Sequence, residues 1–136
     1  MGEIIANLMN YAMDHGISVR TTNELPASTP SLTNTRERYI MINNNCGQQL
    51  ALQMAHEIGH LMLGHTSIQP LPFTTLTNWG DELEANQWAI KKLIPYYANG
   101  KEDEQLNTKE FMELFVIPGH LDNIVRTEMI MYVMNN

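Results

Sequence analysis

Two histidines four residues apart, with a glutamate beside the first, are the residues of this chain best suited to chemistry. They form the segment His56-Glu57-Ile58-Gly59-His60. Side chains four residues apart lie on one face of an α-helix, so His56 and His60 can bind one divalent metal ion, for which zinc is the expected choice. Glu57 can then act as general base on the attacking water. A hydrogen-bonded pair of core histidines is the alternative.

The surrounding sequence predicts a buried helix with a single polar stripe. At 100° per residue, Gln49, Gln53 and His60 fall within about 60° of His56, and Glu57 lies about 100° from it. The remaining circumference is mostly apolar: Leu50, Ala51, Met54, Ala55, Ile58, Leu61 and Met62. Burying this many polar groups without partners costs several kcal/mol, which favours a metal site over a purely structural pair.

A second helix is predicted from about residue 81 to residue 94, ended by Pro95. Glu82 and Asn86 lie in the middle of its apolar face. That face is formed by Leu83, Ala85, Ala89, Ile90 and Leu93. We expect the Asn86 amide to hydrogen-bond a ligating histidine and to fix the orientation of its ring.

The position of Glu82 makes it the expected third metal ligand. A carboxylate that points into the core needs a partner, and a metal ion held by His56 and His60 would provide one. Glu84, by contrast, lies about 200° from Glu82, on the side of Lys91, where a surface ion pair would explain it. Glu82 is therefore preferred to Glu84.

Cys46 and His65 are two further candidates for chemistry. Cys46 stands near the start of the first motif helix, where a thiol pKa can be lowered. Nothing in the sequence places a histidine or a second cysteine beside it, so we interpret it as structural. His65 follows Gly64, and a continuous helix would rotate it about 140° from His60. We therefore expect His65 to be a hydrogen-bonding residue at the helix end rather than a ligand.

The remaining pattern predicts an α+β fold. Short strands are expected at residues 17–20, 31–33 and 38–43, and their succession with turns between them suggests a small antiparallel three-stranded sheet. The sheet would pack against a helical core that carries the HExxH helix. The loop of residues 66–77, with two prolines, is a candidate wall of a substrate cleft.

Helix boundaries are predicted from capping signals. The first helix should end at Gly16, and the HExxH helix should begin at an Asn45–Gln48 capping box and end at Gly64. Two core-covering helices complete the chain, the first starting at a capping-box signal formed by Asn107 and Glu110.

Length and composition restrict the class of protein. A chain of 136 residues with 43% hydrophobic and 17% charged residues is expected to form one globular domain, residues 1–136. One cysteine excludes an internal disulfide framework, and the lack of a signal segment or long apolar run predicts a cytoplasmic protein without membrane contact. The net charge of −7 argues against direct nucleic acid binding and would suit a basic protein partner.

Together these motifs resemble those of the ImmA/IrrE metallopeptidases. The resemblance rests on residues 39–43, on 55–60 with 63–65, and on 82–89 followed by 93–95, in matching order and spacing. It implies a thermolysin-like minimal zincin with two histidines and one glutamate as Zn²⁺ ligands. In this sequence the glutamate is Glu82, and Asn86 would orient a ligand. Members often belong to phages or mobile elements and inactivate helix-turn-helix repressors by cleavage.

We therefore expect a zinc-dependent endopeptidase that cleaves a separate DNA-binding repressor. The 55 residues before the motif are too few for a DNA-binding domain of the kind that some members carry. Two alternatives are a binding module that sequesters a repressor without cleaving it and a component of a toxin–antitoxin pair. A purely structural zinc would not need Glu57, so its presence favours catalysis. Four residues remain equal candidates for stabilising an oxyanion: Tyr39, Tyr96, Tyr97 and His120.

Overall fold

Five α-helices and four short strands make up the part of the chain that the computed structural model describes, residues 1–65, 71–72 and 79–135. The helices are α1 (Gly2–Asp14), α2 (Leu50–Met62), α3 (Trp79–Ala98), α4 (Thr108–Phe115) and α5 (Asp122–Met134). The strands are β1 (Ser18–Thr22), β2 (Leu32–Asn34), β3 (Tyr39–Asn43) and β4 (Leu71–Pro72). The α+β class predicted from the sequence is confirmed. None of the described helices is long and apolar enough to cross a membrane.

The sheet is mixed rather than wholly antiparallel as predicted. Its strand order is β1-β3-β2-β4, with β3 parallel to β1 and antiparallel to β2. The prediction was wrong here because it paired strands in chain order. The connection after β1 instead skips the position beside β1 and leads into β2. The β2–β3 hairpin then places β3 between β1 and β2. The short β4 adds a fourth strand beside β2.

Helix α2 lies at the centre of the fold. Residues 51–61 are all buried, because α3, α1 and β3 pack around the helix. This explains why its sequence is apolar on almost every side. The core around it contains Leu8, Ile17, Ile40, Ile42, Ile90, Leu93, Phe111, Phe115 and Val125.

Helix α2 begins later than the capping signals predicted. A 3₁₀ segment, Asn44–Gln49, precedes it, capped by the Asn43 side chain, which accepts from the backbone N–H of Asn45 at 3.0 Å. The predicted Asn45–Gln48 capping box is absent, because both side chains are used elsewhere. Asn45 donates to backbone carbonyls before β2, and Gln48 donates to the carbonyl of Leu114. The predicted end at Gly64 is confirmed, with φ at +74°.

Helix α3 does not end at Pro95, contrary to the prediction, but continues to Ala98. Proline inside a helix removes one backbone hydrogen bond. Tertiary contacts of the last turn offset this loss: Tyr97 is buried, and its hydroxyl donates to Glu110 at 2.6 Å and accepts from the backbone N–H of Asn107 at 3.1 Å. Asn107 caps α4 as predicted by accepting from the N–H of Glu110.

Candidate metal centre

Three side chains predicted as metal ligands converge between α2 and α3. The Nε2 atoms of His56 and His60 lie 3.1 Å apart. Each lies 3.0 Å from one carboxylate oxygen of Glu82, His56 from Oε2 and His60 from Oε1. All three residues are buried. The structure therefore brings together two imidazole nitrogens and a carboxylate from two helices.

Close packing of the two helices brings the donors within reach of each other. His56 and His60 are one helical turn apart on α2, and Glu82 lies in the first turn of α3. Between the histidines, Gly59 allows a near approach, since an added Cβ would lie 3.3 Å from the Ala85 carbonyl oxygen and from Trp88. A larger side chain at position 59 would push the two ligand-bearing helices apart.

Asn86 makes the hydrogen bond expected from its position on α3. Its Oδ1 lies 2.7 Å from Nδ1 of His56. A carboxamide oxygen can only accept, so His56 Nδ1 carries the proton. In a neutral ring this leaves a lone pair on Nε2, directed at Glu82. Burial lowers the pKa of His56, aided by the nearby His60, and outweighs the opposing contacts with Glu82 and Asn86, so the neutral ring is favoured.

The chemistry of this donor set fits a divalent metal ion. His56 Nε2 and Glu82 Oε2 are both acceptors, and two acceptors 3.0 Å apart repel each other unless a cation lies between them. Among the described residues, the buried Glu82 Oε1 has no hydrogen-bond donor. Ligands of a tetrahedral zinc with bonds of about 2.0–2.1 Å are separated by roughly 3.3 Å, which is close to the spacing here. The His56–His60–Glu82 cluster is thus a possible metal site.

The carboxylate of Glu82 is suited to bind as an anion. Burial alone would raise its pKa, but without a metal ion hydrogen bonds and charge from His56 and His60 outweigh burial and hold the pKa below the usual value; a cation between the three groups would replace that effect. Glu84 is different, because it is exposed and directed away from this cluster. Its contact is with His65 at 3.1 Å, rather than with Lys91 as expected.

His65 is a hydrogen-bonding residue at the helix end, as the sequence predicted, but it lies against His60, whereas a continuous helix would point it away. The two Nδ1 atoms are 3.0 Å apart. The prediction assumed a continuous helix, but Gly64 adopts φ +74°, and the backbone N–H of His65 folds back to the carbonyl of His60 at 3.0 Å. Gly64 was the sequence feature that could have predicted this reversal of the chain, because glycine at a helix end often adopts a positive φ.

Glu57 is fully buried beside the cluster but is not one of its converging donors. Its Oε2 accepts a hydrogen bond from the Thr33 hydroxyl, and no described residue donates to Oε1. Burial raises the pKa of Glu57 well above its usual value, opposed by the Thr33 hydrogen bond and reinforced by the charge of Glu82. Sequence reasoning missed Thr33, because only strand pairing places β2 beside α2. Thr33 therefore holds Oε2 of Glu57, and Oε1 is the oxygen that can accept a proton.

Cys46 is held in a polar network next to the same helix face. Its Sγ donates to Gln53 Oε1, which also accepts from the backbone N–H of Ser31 at 3.0 Å. Burial raises the pKa of Cys46, although hydrogen bonds with Ser31 and Gln53 oppose the change. A protonated, hydrogen-bonded thiol agrees with the structural role expected.

Of the candidates for stabilising an oxyanion, Tyr97 is engaged elsewhere, since its hydroxyl bonds Glu110 and Asn107. Tyr39 contacts the guanidinium of Arg20, with 4.8 Å between that group and the ring centre. The predicted cleft loop, residues 66–77, lies outside the described residues except for β4.

A central helix carrying HExxH beside a carboxylate from the next helix is typical of metallopeptidases. The family model Peptidase M78, described as the IrrE N-terminal-like domain, matches residues 12–117. The match covers more than half of the chain, which therefore belongs to the ImmA/IrrE family of metallopeptidases. As a member of a peptidase family, it has a protein as its expected type of substrate. No curated protein and no solved structure gives a significant match.

Proposed function

We propose that this protein is a zinc-dependent endopeptidase with a gluzincin-like ligand set, and that it cleaves a helix-turn-helix transcriptional repressor. The observation that carries the proposal is the convergence of His56, His60 and Glu82 on one point, with Glu57 adjacent and outside the donor set. Family membership supports the peptidase part. We further propose that residues 1–136 act as one domain in the cytoplasm, where repressors function.

His56, His60 and Glu82 would hold the zinc ion through Nε2, Nε2 and the carboxylate. Zinc, when bound, supplies Lewis-acid polarisation of the scissile carbonyl and makes the attacking water more acidic. Three protein ligands would leave the bound zinc able to take substrate or water as well. Asn86 holds the His56 ring through Nδ1 and so keeps Nε2 directed at the site.

Glu57 would act as general base and then as general acid. The Thr33 hydroxyl holds Oε2, so Oε1 is the atom that receives the proton from water. The proton passes from water to Glu57 Oε1 and then to the amine nitrogen as the peptide C–N bond breaks.

Two other functions use the same metal site without proteolysis. A binding module could sequester a repressor while the metal stabilises the fold, and a toxin–antitoxin component could act on a different target. Neither requires a buried glutamate beside the metal ligands. Burying Glu57 costs free energy, since burial raises its pKa, and a catalytic role gives a reason for that cost.

The test compares wild type with Glu57→Gln. Metal analysis of purified protein should give one zinc per chain in both. Incubation with a candidate repressor, such as the product of the adjacent gene, should give limited cleavage by wild type only. We expect the variant to lose at least roughly 10²-fold in rate, the usual scale for a general base. A chelator should block cleavage by wild type.

Two results would contradict the proposal. Equal cleavage by Glu57→Gln would show that Glu57 is not the base. If the repressor stays intact but is released from DNA by both proteins, the protein sequesters its partner and the peptidase proposal fails. Circular dichroism of both proteins verifies that the substitution leaves the fold intact.

A further inference from the structure

The ring of His65 bridges His60 and two acidic side chains at the start of α3. Its Nδ1 lies 3.0 Å from His60 Nδ1, and its Nε2 lies 3.1 Å from Glu84 Oε1 and 3.6 Å from Asp81 Oδ1. The His65 side chain is only 7% exposed, whereas the carboxylates of Asp81 and Glu84 lie nearer the solvent. His65 thus connects a buried candidate ligand to a partly exposed acidic pair.

The hydrogen-bonding partners determine where the protons lie. An ionised carboxylate can only accept, so His65 Nε2 carries the proton that faces Glu84. In the neutral ring, Nδ1 of His65 is then an acceptor, and His60 Nδ1 must donate to it. This leaves His60 Nε2 with a lone pair, 3.0 Å from Glu82 Oε1. The hydrogen bonds that link Glu84, His65 and His60 therefore select the tautomer of His60 that can bind a metal.

We propose that His65 is a positioning residue that holds His60 in the tautomer and ring orientation required for metal binding. This inference rests on the metal site of the proposed function. His65 would do for His60 what Asn86 does for His56, so that each histidine ligand is held through its Nδ1.

The backbone at the end of α2 holds His65 in this position. Gly64, at φ +74°, reverses the chain, and the His65 N–H donates to the His60 carbonyl at 3.0 Å. The ring and the backbone of His65 therefore both contact His60. A second metal ion on His65, Asp81 and Glu84 is the competing interpretation of the same cluster. Positioning is favoured because a single hydrogen bond from His65 Nε2 already accounts for the contact with Glu84.

The test measures zinc affinity by competition with a chromophoric chelator. His65→Ala should bind zinc roughly 10–100-fold more weakly than wild type, the usual loss when such a partner is removed. His65→Gln should restore most of the affinity, since its carboxamide can accept from His60 and donate to Glu84. Asn86→Ala provides the benchmark for the partner of the other histidine. His15→Ala, which removes a histidine at the end of α1, is the matched control and should bind as wild type does.

A second measurement follows the tautomer directly. In metal-free wild type, the imidazole ¹⁵N shifts of His60 should show a protonated Nδ1, and in His65→Ala they should show a mixture of tautomers. A purely structural role for His65 would leave these shifts unchanged. Thermal unfolding of the metal-free proteins shows whether the variants remain folded.

Several results would overturn the inference. Wild-type affinity in His65→Ala would show that His60 needs no such partner, and an equal loss in His65→Gln would point to packing rather than hydrogen bonding. Two zinc ions per chain in wild type, one of them lost in His65→Ala, would make His65 a ligand of a second site. If wild type binds no zinc, both proposals fail. If zinc binds as described and no repressor is cleaved, only the peptidase proposal fails.

Discussion

Glu82 and Glu84 are two residues apart on α3, and their surroundings differ completely. Glu82 is 5% exposed and faces two histidine nitrogens, whereas the side chain of Glu84 is 60% exposed. The buried carboxylate between two imidazoles is a candidate ligand, while the exposed carboxylate of Glu84 contacts the cluster only through His65. At the scale of single residues, burial and direction therefore determine which acidic side chain is a candidate ligand and which acts only through a neighbour.

Glu82→Ala should lose zinc, because the substitution removes one of three ligands. Glu84→Ala should keep most of its zinc, because it removes only an exposed partner of His65. Metal analysis after dialysis against a weak chelator compares the two variants. Full zinc occupancy in Glu82→Ala would contradict the ligand assignment.

At the scale of secondary-structure elements, the contact between α2 and α3 determines the geometry of the site. Both histidines lie on one helix and Glu82 on the other, so the helix separation sets the distances between the donors. Gly59 is a position of close approach, with backbone and side-chain atoms of α3 opposite it. Packing at this glycine therefore affects the distances between the candidate ligands.

Gly59→Val should lower the free energy of unfolding by about 1–3 kcal/mol, the range for overpacking a core, and should weaken zinc binding as the helices separate. Chemical denaturation and chelator competition measure the two effects. The control is Gly80→Ala on α3, where an added Cβ meets nothing within 4 Å. We expect that control to keep both stability and affinity. Unchanged zinc affinity in a folded Gly59→Val would show that helix separation does not control the site.

The α3–α4 junction depends on the hydroxyl of Tyr97. Burial and the hydrogen bond to Glu110 raise the pKa of Tyr97, outweighing the contact with the Asn107 backbone. The folded pKa is then above the unfolded value of about 10. Stability from this group is fully present below pH 10 and is lost as pH rises through the folded pKa.

Tyr97→Phe should be less stable than wild type by about 1–3 kcal/mol at neutral pH, because Asn107 and Glu110 lose a buried partner. The difference should shrink above pH 10, as wild type ionises. Urea denaturation between pH 7 and pH 11 measures both effects, with Tyr11→Phe as control because the contacts of Tyr11 with Lys92 and Trp88 are made by its ring. A difference independent of pH would show that Tyr97 does not titrate with folding.

At the scale of the whole molecule, the charge balance bears on the proposed partner. The chain carries 15 acidic against 8 basic residues, for a net charge of −7. A DNA-binding repressor presents a basic surface to phosphates, so the two proteins would attract each other over a distance set by salt screening. Charge would then speed encounter, while the site itself selects the bond to be cleaved.

The association rate constant with a basic repressor should fall at least roughly tenfold between low and high salt, the behaviour of electrostatically steered pairs. Glu57→Gln is the suitable form for stopped-flow measurement, because it should bind without cleaving. The dissociation rate constant should change much less. An association rate constant that does not depend on salt would show that charge does not speed the encounter with the repressor.

Local periodicity was enough to predict much of the candidate site. The i, i+4 spacing placed His56 and His60 on one face, and the apolar pattern of the next helix placed Glu82 and Asn86 toward the core. Side chains that share a helix face recur with a period of 3.6 residues, so these positions can be predicted without knowing what packs against the helix. The same holds for the five helices and for β1, β2 and β3, apart from boundaries such as Pro95, whereas β4 lies in a segment predicted to be a loop.

Other features were decided only by the tertiary structure, because they depend on contacts between distant segments or on one unusual dihedral angle. The Thr33 hydroxyl reaches Glu57 only because β2 lies beside α2. The parallel pairing of β1 with β3 follows from how a loop crosses the sheet, which no alternation of residues encodes. His65 returns to His60 because Gly64 takes a positive φ, and a helical wheel cannot show a reversal of the chain.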